Sequence, residues 1–366
     1  MRKNFLHFAS QTTRDVLEEL TQNEKLIGVL TAQFGDYGLS PKDGSFAMHA
    51  LVAKHYFYGG AFPIGGSSRI AETIAETIAE TGGLVLTNAG VEKIIVENGK
   101  ATGIKMEDGK TLTAPLIISS VGVMNTFKRL LPDSANAQFN FTEKAEKVTP
   151  SVANMGLFIG FKASTEALGL QKSNYWVYPD GQYNHDENIA NFIANPDDHF
   201  PLVYMSFPSA KDPDWDNRNR NRATVDLITL APYKWFEPWV DTKWKRRGEE
   251  YEAFKEEMSQ RLLEVLYRYE PQLRGKVDHY ELSTPLSTRD FVNYEHGEIY
   301  GINHDPARFE QDFLRPHTPI KNLWLTGQDI VTAGVGGALM AGVITMSAIK
   351  KKDYTRVVRK AVSTLT

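Results

Sequence analysis

Cysteine is absent from all 366 residues, which excludes zinc–thiolate centres, dithiol redox motifs and cysteine nucleophiles. A cysteine-free chain is compatible with any redox compartment. Also missing is a run of eighteen apolar residues, so no spanning helix is expected, and the leading MRKNFLHFASQTTRD has no apolar core of the secretory kind. The sequence therefore reads as cytoplasmic or as lying on a membrane surface. Positive charge is not in excess: 41 Lys and Arg face 45 Asp and Glu, a net charge of −4, and no nucleic-acid partner is expected. Neither a Ser–His–Asp order nor an H-E-x-x-H pair occurs, and His49 and His55 are six residues apart where a helical metal pair needs four. No metal site is expected. What is present, 42% hydrophobic and 23% charged residues, suits a folded chain with a large core and one or two domains.

Periodicity sets the organisation. Val16, Leu20, Ile27 and Leu30 predict a helix over about 12–30, and FAMHALVAKHY leads into the Gly- and Pro-rich turn YGGAFPIGGSS. The following IAETIAETIAET places Ile70, Ile74 and Ile78 on one helical stripe that Gly82 and Gly83 terminate. From there the period falls to two. Short strands joined at Asn98-Gly99 and Asp108-Gly109 predict hairpins, and LIISSV predicts a buried strand. VANMGLFIGF, PLVYMSF and ATVDLITLAP fit a separate, mostly antiparallel sheet, followed by a long helix from about 249 to 269. Near the end, LWLTG reads as a strand running into a loop with Asp329, and Gly334, Gly336 and Gly337 open a helix of small residues. Such an opening can cradle an anion on unpaired N–H groups, or can simply allow tight helix–strand packing.

Several of these segments carry a family resemblance. HALVAKHYFYGGAFPIGGSSRIAE, GGLVLTNAGVEKIIVENGKATGIKMEDGK and LIISSVGVMNTFKRLLP resemble the middle of phytoene desaturase-type FAD oxidoreductases. FPSAKDPDW, YKWFEPW, STPLSTRDF, EIYGINHDPARF and NLWLTGQDIVTAGVGGALMAG are similar to the retinol saturase branch of that family. The resemblance implies FAD as cofactor, with Val91 meeting the adenine through its backbone, and Gly327 and Asp329 on the ribityl or phosphate side. It further implies that Gly334, Gly336, Gly337 and Ala338 set helix N–H groups beside the pyrimidine edge of the flavin, where reduction concentrates negative charge. The family's G-x-G-x-x-G turn does not occur in these 366 residues, so the sequence reads as a C-terminal portion of a longer flavoprotein, or the product of a truncated gene. A separate N-terminal segment or a second copy is the expected partner.

The expected fold is α/β, a partial FAD-binding, Rossmann-like layer with a mixed-sheet substrate domain. Residues 1–63 are assigned to a helical part of the substrate domain, 64–125 and 320–350 to the FAD-binding layer, 126–319 to the substrate domain and 351–366 to a tail. The expected function is hydride transfer through flavin at carbon–carbon double bonds of a hydrophobic polyene such as a retinoid or carotenoid. The alternatives are a flavin-free binding domain and a flavin amine oxidase-like enzyme. No catalytic residue stands out. Tyr56, Tyr58, Phe62, Tyr300 and Trp324 are candidates for an apolar wall or for ordinary core, and Asp305 with Arg308 for orienting a loop beside the flavin or for a local ion pair, the ion pair being favoured. YKWFEPWVDTKWKRR, with Trp235, Trp239 and Trp244 among basic residues, fits either peripheral membrane contact or a solvated helix end; AIKKKDYTRVVRK is open in the same way.

Overall fold

The structure is a computed structural model and describes residues 2–364. Its strands, in chain order, are β1 (Val91–Glu97), β2 (Lys100–Met106), β3 (Thr111–Thr113), β4 (Ile117–Ser119), β5 (Asn154–Phe161), β6 (Tyr175–Val177), β7 (Val203–Ser206), β8 (Ala223–Leu230), β9 (Val277–Ser283) and β10 (Leu323–Leu325). Eight helices matter below: α1 (Arg2–Ala9), α2 (Phe46–Tyr56), α3 (Ser68–Glu80), α4 (Pro208–Lys211), α5 (Glu249–Tyr269), α6 (Pro306–Glu310), α7 (Gly334–Lys350) and α8 (Tyr354–Val362).

Two compact units are formed. The first comprises Met1–Gln11, Leu86–Ser151 and Tyr300–Thr366. Its hairpins turn where Asn98-Gly99 and Asp108-Gly109 require, giving the antiparallel order β1-β2-β3. LIISSV and LWLTG join one sheet as expected: β10 pairs parallel with β4, Leu323 against Ile117 and Leu325 against Ser119. Ile94, Val123, Phe127, Phe141, Ile302, Leu323 and Leu325 share one core.

That core explains why the unit boundaries differ from the sequence expectation. Phe127, Phe141 and Ile302, in stretches assigned above to the substrate domain, bury their side chains against Val123 and Leu323. Residues 126–151 and 300–319 therefore belong to the first unit, as does α1, whose Phe5 packs edge-on against Phe309 at 5.8 Å. α3 belongs to the second unit and buries none of its residues. The stretch 351–366 contains the helix α8 rather than a bare tail.

The second unit comprises Thr12–Val85 and Val152–Ile299 around a five-stranded antiparallel sheet, order β6-β7-β8-β5-β9. Alternation decides its faces. Met155, Leu157, Ile159 and Phe161 of β5, with Val225 and Leu227 of β8, bury against Met258, Leu262 and Leu266 of α5. Each such aliphatic side chain contributes about 1.5–3 kcal/mol on burial. Phe158 and Asp226 occupy the intervening positions and point to the other face, where Phe158 is half exposed. The helix expected over 12–30 is two helices, Thr13–Glu18 and Glu24–Leu30. Thr12 forms a capping box with Asp15, Asn23 caps the second helix, and Leu20 between them is exposed.

Candidate functional site

The carboxyl ends of the parallel pair β4 and β10 build the site, the usual place for a ligand in an open α/β layer. After β10 the chain passes Thr326, Gly327, Gln328 and Asp329 and enters α7 at Gly334. Thr345 on α7 donates its hydroxyl to Leu325 O at 2.9 Å, which ties the helix back to the strand that feeds it.

Asp329 is 2% exposed, and its own chain occupies both carboxylate oxygens. Oδ2 accepts the Val123 N–H at 2.8 Å, just past β4, and Oδ1 accepts the Ile302 N–H at 3.1 Å. One side chain thus holds three distant segments together. Burial pushes its pKa up, while the Val123 N–H, the Arg308 charge and the Ile302 N–H favour the anion. Gly301 makes the approach feasible: its φ is +68°, and a Cβ there would lie 2.0 Å from Asp329 Oδ1.

Arg308 completes the brace from the other side. The guanidinium is 4% exposed and donates to Ile302 O at 3.0 Å, Gln328 O at 2.8 Å and Asp329 O at 2.9 Å. Burial pulls its pKa down to about 10, against the opposing charges of Asp329 and Asp305. The local ion pair expected between Asp305 and Arg308 does not form. Asp305 instead caps α6, accepting the Arg308 backbone N–H at 2.9 Å, because the Arg308 side chain is drawn inward to the loop carbonyls.

His304, fully buried, accepts the Ala333 N–H at Nε2, 2.9 Å, on the residue that caps α7. Burial, and secondarily the Arg308 charge, hold its pKa well below the ordinary imidazole value. The ring is therefore neutral in the fold. The unfolded chain binds a proton below about pH 6.5 that the folded chain resists, so this contribution to stability is present above 6.5 and is lost as pH falls toward the folded pKa. The melting temperature should fall between pH 7.5 and 5. A His304→Gln protein, whose amide oxygen can still accept the Ala333 N–H, should show a shallower fall; identical pH slopes would remove His304 from this role.

The residues tied to a flavin by resemblance occupy these positions. Gly327, Asp329, Gly334, Gly336, Gly337 and Ala338 follow one another along the passage from β10 into α7. Val91 opens β1 in the other sheet of the unit, opposite Met106. Gly334, Val335 and Gly336, which open a seventeen-residue helix, are exposed, and no side chain caps the helix. A Cβ on Gly337 would sit 2.0 Å from Thr332 O, so a side chain there would push the loop out of place. A bare helix N-terminus on a rigidly braced loop fits the electron-rich edge of a flavin.

The other sequence candidates scatter. His49 is buried in α2 against the Tyr37 hydroxyl at 3.3 Å, and the His55 ring lies 4.3 Å from that of Tyr56. Tyr58 is 85% exposed, Trp324 packs edge-on to His317 at 5.4 Å, and the Tyr300 N–H donates to Ser151 Oγ at 2.9 Å. Phe62 lines a cavity of the second unit. Trp235 and Trp239 pack on the core with Phe192 and Tyr251, and Arg247 is buried against Thr242 O, whereas Trp244 is half exposed beneath Lys245. Among the described residues no group of three His, Asp or Glu could hold a metal, and no helix is long and apolar enough to cross a membrane.

No family model matches the chain. Individual proteins do. The chain is 35% identical over 360 residues to the all-trans-retinol 13,14-reductase of Homo sapiens, covering 95% of this chain and 59% of that protein. It is 27% identical over 313 residues to a neurosporene-forming phytoene desaturase of Rhodobacter capsulatus, covering 83% of this chain and 56% of that protein. An oxidoreductase structure from Methanosarcina mazei superposes over 93% of this chain and 68% of that one with a TM-score of 0.60 at 18% identity, a likeness of fold. The chain thus spans about 59% of the length of the retinol reductases it matches. By sequence over nearly its whole length, the chain is similar to the all-trans-retinol 13,14-reductases and, at lower identity, to the phytoene desaturases.

Proposed function

We propose that this chain is the larger part of an FAD-dependent oxidoreductase acting on carbon–carbon double bonds of a polyene lipid, a retinoid or a carotenoid. The exposed, glycine-lined N-terminus of α7, held by Asp329, Arg308 and His304, is the observation that carries the reading. Flavin, when bound, supplies hydride transfer. Gly334, Gly336, Gly337 and Ala338 stabilise negative charge at its pyrimidine edge through the helix end. In this reading Asp329 acts on the cofactor by fixing the loop and through the lone pairs that its two N–H partners leave open. Val91 lies on the adenine side. In this reading the first unit carries the flavin residues, and the aromatic side chains Phe158, Trp176 and Tyr204 on one sheet face of the second unit suit a polyene.

Because no G-x-G-x-x-G occurs in these residues, flavin uptake in this reading depends on a segment that supplies the pyrophosphate cradle, or on association with a second copy. Peripheral membrane contact falls to α8, where exposed Val357, Val358 and Val362 accompany Arg356, Arg359 and Lys360. The test is the visible absorption spectrum of the purified chain with FAD, with and without a family-type N-terminal segment, followed by turnover of a retinoid under reducing conditions. A flavin spectrum that strengthens with the added segment, and loss of a polyene double bond, are expected. A colourless protein in both conditions that still binds retinoids would replace this reading with a flavin-free binding domain, and oxidation of amines alone with an amine oxidase-like enzyme.

A further inference from the structure

Where α5 passes the edge strand β6, the second unit holds an open cavity of about 420 Å³. Gln260, Arg261, Glu264, Val265 and Arg268 reach it from one face of α5, and His199 and Phe200 from the loop before β7. Its floor is hydrocarbon. Val177 and Val203 are cross-strand partners and pack with Val265 and Phe200 on the core that α5 covers. Trp176 and Tyr204, neighbouring positions on the same strands, point to the opposite face of the sheet. The cavity and the aromatic face that suits a polyene therefore lie on opposite sides of one sheet.

Most polar groups around the cavity are already used. The Gln260 amide donates to Glu256 Oε1 at 2.7 Å and to the Tyr280 hydroxyl at 2.9 Å, Glu264 accepts from Arg274 at 2.8 and 2.7 Å, and the Tyr178 hydroxyl donates to Ala32 O. Arg261 is different. It is partly buried, its guanidinium lies over the Phe200 ring at 4.6 Å, and it donates to the carbonyls of Pro196 and Asp198 and to the Met258 sulfur. Two of the five N–H groups of a guanidinium are left, Nε among them. Among the described residues no carboxylate comes within the 4.0 Å of an ion pair with it. Burial pulls its pKa down, against the more distant charges of Glu257, Asp197 and Asp198. Arg268 and His199 are exposed at the rim, and Arg268 is held by a surface pair with Asp180.

A cation without a counter-ion beside a hydrocarbon floor selects its ligand. An ammonium is repelled by Arg261, and a neutral alcohol brings no opposing charge. A sugar or a nucleotide carries more polar atoms than the remaining donors can satisfy, each desolvated at a cost. A carboxylate matches the guanidinium in charge and in shape, and a single alkyl chain asks nothing polar of the valines. We propose that this cavity binds a single-chain carboxylate of the fatty-acid type, with its headgroup on Arg261 and its chain over Val177, Val203 and Val265. The site is independent of the polyene reading and adds a second ligand class on the other side of the sheet.

Isothermal titration of the 366-residue chain with decanoate, decan-1-ol, decylammonium and acetate tests the assignment. Decanoate should bind at least about tenfold more tightly than decan-1-ol, which lacks the charge, and than acetate, which lacks the chain. Decylammonium should give no saturable heat. Arg261→Met should bring decanoate down to the affinity of decan-1-ol. Val265→Glu leaves the carbonyl bonds of Arg261 in place and should abolish decanoate binding, because the new carboxylate takes the guanidinium or repels the headgroup. Circular dichroism establishes that each variant is folded; if Arg261→Met is not, Val265→Glu and the ligand series decide the matter. Absence of saturable decanoate binding, equal binding of decanoate and any of the other three ligands, or decanoate binding unchanged by either substitution overturns the assignment.

Discussion

Asp329→Ala should destabilise the chain by about 3–5 kcal/mol, the range for removing one member of a buried charged network. The substitution leaves the Val123 and Ile302 N–H groups buried without an acceptor and takes an opposing charge from Arg308, itself 4% exposed. Asp329→Asn keeps an acceptor for one N–H but sets its amide against the other, so it should fall between Ala and the parent. Thermal or urea unfolding of the three proteins checks the order. If Asp329→Ala unfolds with the parent, the carboxylate does not brace the loop. Flavin retention, measured below the transition of the weakest protein, should follow the same order, and retention equal to the parent would detach Asp329 from the cofactor.

Gly337→Ala should have the second largest effect. The new Cβ would meet Thr332 O at 2.0 Å and Thr332 Oγ1 at 2.6 Å, so the loop before α7 must move by more than an ångström. Overpacking of this kind costs about 1–3 kcal/mol, and the displaced helix entrance should weaken FAD binding at least tenfold. Gly336→Ala provides the contrast. Nothing lies within 4 Å of a Cβ there, and alanine favours the helix by about 1 kcal/mol, so its melting temperature should equal or exceed that of the parent. Titration with FAD alongside thermal unfolding separates the two glycines; equal behaviour would show that the close approach at Gly337 is dispensable.

The sequence showed most of the regular structure because local rules govern it. Asn98-Gly99 and Asp108-Gly109 fix hairpins, the four-residue spacing of Met258, Leu262 and Leu266 fixes α5, and the apolar runs LIISSV and LWLTG mark strands that pair. Unit boundaries were not legible, because Phe127 and Ile302 carry no local sign of the core they enter. At the site, the glycines and Asp329 were visible through motif resemblance and Arg308 as one candidate for orienting a loop, whereas the role of His304 and the carbonyls that Arg308 binds were not. His304 lies twenty-nine positions from Ala333, and Arg308 bonds carbonyls at 328 and 329, separations that no period encodes.

The bond from Val123 to Asp329 spans 206 positions. During synthesis at about 5–20 residues per second, β4 therefore waits roughly 10–40 s after it emerges before β10 and the Asp329 loop can reach it. Throughout that interval β10, the parallel partner of β4 among the described residues, is still missing, and the second unit, whose last residue is Ile299, can already be complete. The helix entrance that would receive a flavin is consequently among the last features to form. In a nascent or C-terminally shortened chain the second unit can be ordered while the β4–β10 layer is still open, so protection of the Val123 amide from hydrogen exchange marks the moment at which the chain has closed.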